Sequence, residues 1–181
     1  VAGTPRRLLQ EEAPAMRVPP IRRIALAGIL ATMTMDLTSQ TTWRLIGAAR
    51  ASRKLRPQLL GRWVGHMRRG RFRHSHIERA PELAHELPTG LATHYLIGVA
   101  LTAGYLGLLR AFKTKPSGST AVAYGAATSA LPWLVLHPAF GYGWFGLREE
   151  PTGTLITTSV LAHLGFGAGI GVWTKALVPP R

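Results

Sequence analysis

The sequence predicts an all-α integral membrane protein: a four-helix bundle with a basic amphipathic segment between the first and second spans. Three observations predict it. The 181 residues are 46% hydrophobic, yet they carry a formal net charge of +14. The two characters segregate along the chain, as expected when bilayer and water take turns as solvent. Several of the apolar runs approach the roughly 20 residues that a helix needs to cross a bilayer. The absence of cysteine excludes disulfides, thiolate zinc sites and cysteine nucleophiles.

Residues 1–21 read as a disordered tail, because Val1–Ala15 lacks apolar periodicity. Met16 is an alternative start to Val1. Residues 22–178 form the membrane domain. The first span, about 24–45, is apolar only to Leu37, so reaching full length means burying Ser39, Gln40 and several threonines. It works only if that polar half faces protein. A cleaved signal peptide does not fit, since Asp36 and a Thr/Ser/Gln cluster stand where small residues should be.

A basic connector, 46–86, follows. In it Gln58–Gly70 reads as a short amphipathic helix. Leu59, Leu60, Trp63, Val64 and Met67 share one face, and Arg62, His66 and Arg69 another. Such a helix lies in the headgroup region, and Arg71, Arg73, His74 and His76 extend its basic surface. The second span is about 87–112. The third, about 119–137, contains Pro132, which removes a backbone bond to Thr128 and predicts a kink, with the Thr128 and Ser129 hydroxyls near the break. The connector Pro138–Gly146 carries interfacial aromatics, Tyr142 and Trp144. The fourth span, about 153–178, holds two overlapping Gly-x-x-x-Gly pairs, Gly165–Gly169 and Gly167–Gly171. They offer a close-packing face to a neighbouring helix, a second copy or a partner subunit.

Helical rise places three polar residues from three spans, Asp36, His94 and His163, within a depth window of about 6 Å. An intramembrane carboxylate is costly and should face a partner inside the bundle. One reading is a catalytic or proton- and ion-handling site. In it Asp36 is base or ligand, and His94 and His163 are shuttles or ligands. The other reading is that the same groups tie helices together in a non-catalytic accessory or lipid-binding protein. The three residues are also the candidates for a metal, although neither HExxH nor Glu-x-x-His is present. No cofactor is implied, and whether the protein is an enzyme stays open. Arg62, His66, Arg69 and His74 are the candidate anion-binding residues. Anionic membrane lipids are the expected partners, and the spans argue against nucleic acid. Lys and Arg are nearly balanced across the two faces. A start at Met16 tips the excess to the connector side, which the positive-inside rule then places in the cytoplasm.

Five pieces carry a resemblance: ATMTMDL (Ala31–Leu37), GRWVGHMRRGRFRHSHI (Gly61–Ile77), THYLIG (Thr93–Gly98), HPAFGYG (His137–Gly143) and HLGFGAG (His163–Gly169). In these the chain resembles a bacterial multi-pass membrane family catalogued as domain of unknown function 2938. The resemblance implies a multi-pass inner-membrane protein and no particular activity.

Overall fold

The computed structural model describes residues 20–46, 56–149 and 152–178. The tail up to residue 19, with its expected disorder and alternative start at Met16, lies outside the described residues. So do residues 47–55, with Arg50, Arg53 and Lys54 of the connector.

All regular structure among the described residues is helical. The helices are α1 (Ile21–Leu45), α2 (Pro57–Met67), α3 (Glu86–Ala111), α4 (Gly118–Thr128), α5 (His137–Phe140) and α6 (Thr152–Leu177). A π-helical stretch, Pro132–Leu136, joins α4 to α5, and single 3-10 turns stand at Ile77–Arg79 and Trp144–Gly146. Pro132 has no N–H to donate, and the chain resolves the break by widening: the backbone N–H of His137 bonds to the carbonyl of Pro132. The neighbouring hydroxyls do not mend it. Thr128 Oγ1 donates to Gly125 O at 2.6 Å, and Ser129 Oγ has no partner among the described residues.

Three helical stretches are long and apolar enough to cross a membrane: Glu86–Ala111, Gly118–Phe140 and Thr152–Leu177. The first expected span, α1, is not one of them. At 25 residues it has the length, but Arg22, Arg23, Asp36, Arg44 and its run of hydroxyls lower its hydropathy. Its threonines are helix-compatible because they return their hydroxyls to the preceding turn: Thr32 to Gly28 O, Thr34 to Leu30 O and Thr38 to Thr34 O, each within 2.9 Å. Ser39 and Thr42 in its polar half are buried, while Gln40 and Thr41 are exposed. The large apolar residues Leu26, Ile29, Met33 and Leu37 point outward.

The interior of the bundle is made of small residues. Gly28 and Ala31 of α1, Gly98 and Thr102 of α3, Ala121 and Gly125 of α4, and Gly167 and Gly169 of α6 are all buried. A Cβ on Gly125 would stand 2.5 Å from Gly167 Cα and the His163 carbonyl, so α4 and α6 touch backbone to backbone. A Cβ on Gly169 would meet Ala31 Cα at 2.9 Å, and one on Gly165 would run into Thr38. The Gly-x-x-x-Gly residues offered by the sequence to a second copy are therefore covered within the chain. Gly165 and Gly169 pack on α1, and Gly167 and Gly171 on α4. The remaining core joins Ala31, Tyr105, Leu109, Ala121, Phe166 and Ile170.

A second core lies at one end of the bundle, the end where α3 begins and α5 finishes. Leu59, Ile77, Ala139, Phe140 and Tyr142 form it, with Trp63, Ala80 and Leu136 packed on its edge. This cap is built from α2, residues 71–80 and the loop after α5. Two backbone contacts fix it. α2 meets α3 where Gly61 lies against the Glu86 carbonyl and Gly90 against the Pro57 carbonyl, with no room for a Cβ on either glycine. Gly141, at φ +94°, turns the chain against the Ser75 carbonyl, and the His74 N–H donates to Ala139 O at 2.9 Å.

Candidate functional site

The carboxylate of Asp36 sits between α1 and α3. His94 Nε2 lies 2.9 Å from Asp36 Oδ1, and the Tyr95 hydroxyl donates to Oδ2 at 3.0 Å. Consecutive helix residues point about 100° apart, but a tyrosine is long enough to reach round, and its ring meets the His94 ring edge-on at 5.5 Å. An ionised Asp36 accepts both bonds, so His94 carries its proton on Nε2 and turns Nδ1 away from the carboxylate. The pair is open to its surroundings, with side-chain exposure of 34% for Asp36 and 26% for His94.

His163 does not join this pair through a hydrogen bond. Its Nδ1 lies 2.8 Å from Thr128 Oγ1. That hydroxyl spends its only proton on Gly125 O, so His163 Nδ1–H must be the donor. His163 is 7% exposed. The three expected residues are thus split between an Asp36–His94 pair and a separate His163–Thr128 contact. Among the described residues, no three His, Asp or Glu side chains are grouped as a metal ion would require.

The four candidate anion-binding residues part company. Arg62 is 5% exposed, and its guanidinium is fully engaged within the chain. Nε and Nη2 grip Glu86 in a fork at 2.7 and 2.9 Å, and Nη2 also meets Glu82 at 3.0 Å. Nη1 donates to the carbonyls of Ile77, Glu78 and Ala80 at 3.1–3.3 Å. Bonding to Glu86 raises the guanidinium pKa still further. Every N–H of the fork is used, so Arg62 is a clamp that folds the connector onto α3 and has nothing left for a ligand. His66 is also buried, its Nδ1 2.7 Å from His74 Nε2 with the two rings stacked. Burial pushes the His74 pKa down, and the neighbouring His66 and Arg71 charges add to that. Of the four, only Arg69 is exposed.

The cationic face that the sequence placed toward headgroups is therefore partly the inner face of α2. The physical reason is that carboxylates close the circuit: Glu86 at the start of α3 and Glu82 in the loop before it supply what Arg62 needs. Both carboxylates are readable in the segment Glu82–Glu86, but their partner is not. Arg68, Arg69, Arg71 and Arg73 are exposed in the turn after α2, with Phe72 among them. Tyr142, expected to anchor at the interface, is fully buried. It donates its hydroxyl to Glu78 at 3.1 Å, and burial next to that carboxylate raises its pKa far above the usual phenol value. Tyr95, Glu78 and Glu82 are the polar residues that sequence reasoning did not single out.

No curated protein and no solved structure matches the chain. One family, described as a protein of unknown function (DUF2938), matches residues 25–179, a stretch that takes in the cap and nearly all of the bundle. The chain belongs to that family.

Proposed function

We propose that this is a multi-pass protein of the bacterial inner membrane whose α1–α3 seam carries a proton-exchanging carboxylate–imidazole pair. In this reading α1 crosses the bilayer beside the three apolar helices, its polar face turned to them, which makes four spans in all. The observation that carries it is the Asp36–His94 pair, with both carboxylate oxygens engaged and the imidazole Nδ1 left to act. A carboxylate that orients an imidazole within hydrogen-bond reach of a reacting group is an acid–base device, usable for proton or ion handling or for chemistry on an amphiphilic substrate. The pair's partial exposure gives such a substrate or a proton access from the side of the bundle. Exposed Arg68, Arg69, Arg71 and Arg73 would hold anionic headgroups, at about 1 kcal/mol each near a charged surface.

A second reading is favoured for one residue. His163, bonded to Thr128 and buried, serves as a tie between α4 and α6.

Infrared spectra of the protein in lipid, recorded during hydrogen–deuterium exchange, test the proposal. A carboxylate band that shifts on exchange should vanish in Asp36→Asn, and an imidazole band should vanish in His94→Gln. His163→Gln should lower thermal stability and leave both bands in place. Identical spectra for wild type and a folded Asp36→Asn variant would remove the proposed activity.

A further inference from the structure

Three side chains on one stretch of helix carry buried polar atoms that are unpaired among the described residues: Ser129 Oγ, Nε1 of the half-buried Trp133 and both ring nitrogens of His137. The Phe145 backbone lies near the His137 ring but makes no well-formed hydrogen bond to it. Ser129 and His137 are at most 1% exposed. Native structures pair almost all such atoms, with protein or with ordered water. The three recur every four residues, so they succeed one another about one turn apart. They also straddle the π-helical stretch, a local widening that recurs at functional positions.

The ends of this row lie beside two polar contacts. Ser129 directly follows Thr128, which holds His163. At the other end the His137 ring lies 6.1 Å from the ring of Tyr142, whose hydroxyl donates to Glu78 in the cap. The loop that closes over His137 is tightly wound: Gly141, Gly143, Phe145 and Gly146 all have positive φ. A Cβ on Gly146 would stand 3.1 Å from His137 Nδ1.

We propose that a file of ordered water runs along Ser129, Trp133 and His137, from beside the Thr128–His163 tie to the cap. The ligand class follows from the donors and acceptors. An indole N–H only donates, a neutral imidazole donates once and accepts once, and a hydroxyl does both, so the guest must do both as well. Water does so, and it needs two to four such partners. The file stands independently of the function proposed above.

X-ray hydroxyl-radical labelling of the full chain in detergent, read by mass spectrometry, tests the file. Radicals born from bound water oxidise the side chains that touch it. Trp133 and His137 should be modified at rates comparable to the exposed Trp144, while buried Phe166 and Tyr105 stay inert. His137→Phe and Ser129→Val, the second kept in case the first does not fold, should each cut Trp133 labelling by about five-fold, as expected when a buried water loses a polar partner. Trp133 and His137 as inert as Phe166 would overturn the file. Asp36→Asn should leave Trp133 labelling unchanged. Strong labelling together with a silent infrared spectrum therefore keeps the file and removes the proton-exchange reading. Inert Trp133 with a responsive carboxylate band does the reverse.

Discussion

The bundle and the cap are two solutions to the same problem of holding helices together. Inside the bundle the contacts are small: glycine on glycine, alanine on glycine, and threonines that spend their hydroxyls on their own helix. Between apolar helices surrounded by lipid there is little hydrophobic gain from association, so backbone approach and dispersion do the holding. The cap is built in the opposite way. A buried arginine fork, a histidine pair and aromatic rings surround Leu59 and Ile77. Buried charge is concentrated in the cap, at Arg62 and Glu86. The difference shows that Arg62, His66 and His74 of the basic stretch serve to fold the cap, while Arg68, Arg69, Arg71 and Arg73 are left exposed.

The sharpest way to break this contrast is at the clamp. Arg62→Ala leaves Glu86, 10% exposed, without its fork. The loss should cost about 3–5 kcal/mol, the range for a buried pair that loses one partner. Thermal unfolding should show it, with protease nicking within residues 71–83. Arg62→Met combined with Glu86→Leu should recover much of that stability, because removing both charges removes the unpaired one. A double variant as unstable as the single would mean that the backbone carbonyls carry the clamp.

A steric change tests the bundle. Gly167→Val puts a branched side chain where even a Cβ stands 2.6 Å from Ala121 O and 2.8 Å from Val122 Cα. Overpacking of this kind costs about 1–3 kcal/mol, and it should separate α4 from α6 while leaving cap proteolysis unchanged. A neutral result would show that these helices are held elsewhere.

The smallest effect sharpens the comparison by pH. The His74 pKa is lowered in the folded cap, so the unfolded chain binds the proton more readily. Cap stability is therefore at its full value above the unfolded imidazole pKa of about 6.5 and falls as pH drops below it toward the folded value. Hydrogen-exchange protection across 71–80, corrected for the intrinsic pH dependence of amide exchange, should fall on going from pH 7.5 to pH 5, and His74→Gln should flatten that dependence.

The Asp36–His94 meeting is legible in the sequence, because helical rise fixes depth and a carboxylate in an apolar segment must find a partner. The engagement of Tyr95 is not, since adjacent residues on a helix point apart and only the crossing of α1 over α3 brings both onto one carboxylate. His163 falls at the right depth and on the right kind of face. Depth is one coordinate of three, however, and rotation about the helix axis gives it to Thr128. The misreading of Arg62 and His66 as anion-binding residues has a similar origin. Periodicity identifies which residues share a face, but the destination of a cationic face depends on charges distant in sequence.

By itself, then, the sequence determined that the chain is helical, where its apolar stretches run and at what depth its rare polar groups lie, because those follow from local composition and a constant rise per residue. Only the tertiary structure decided which polar groups touch, that α2 turns its arginine inward and that the glycines of α6 are consumed within the chain. Those outcomes depend on how helices rotate and cross, and that is set by backbone contacts between glycines, such as Gly61 against α3 and Gly125 against Gly167, that are far apart in sequence.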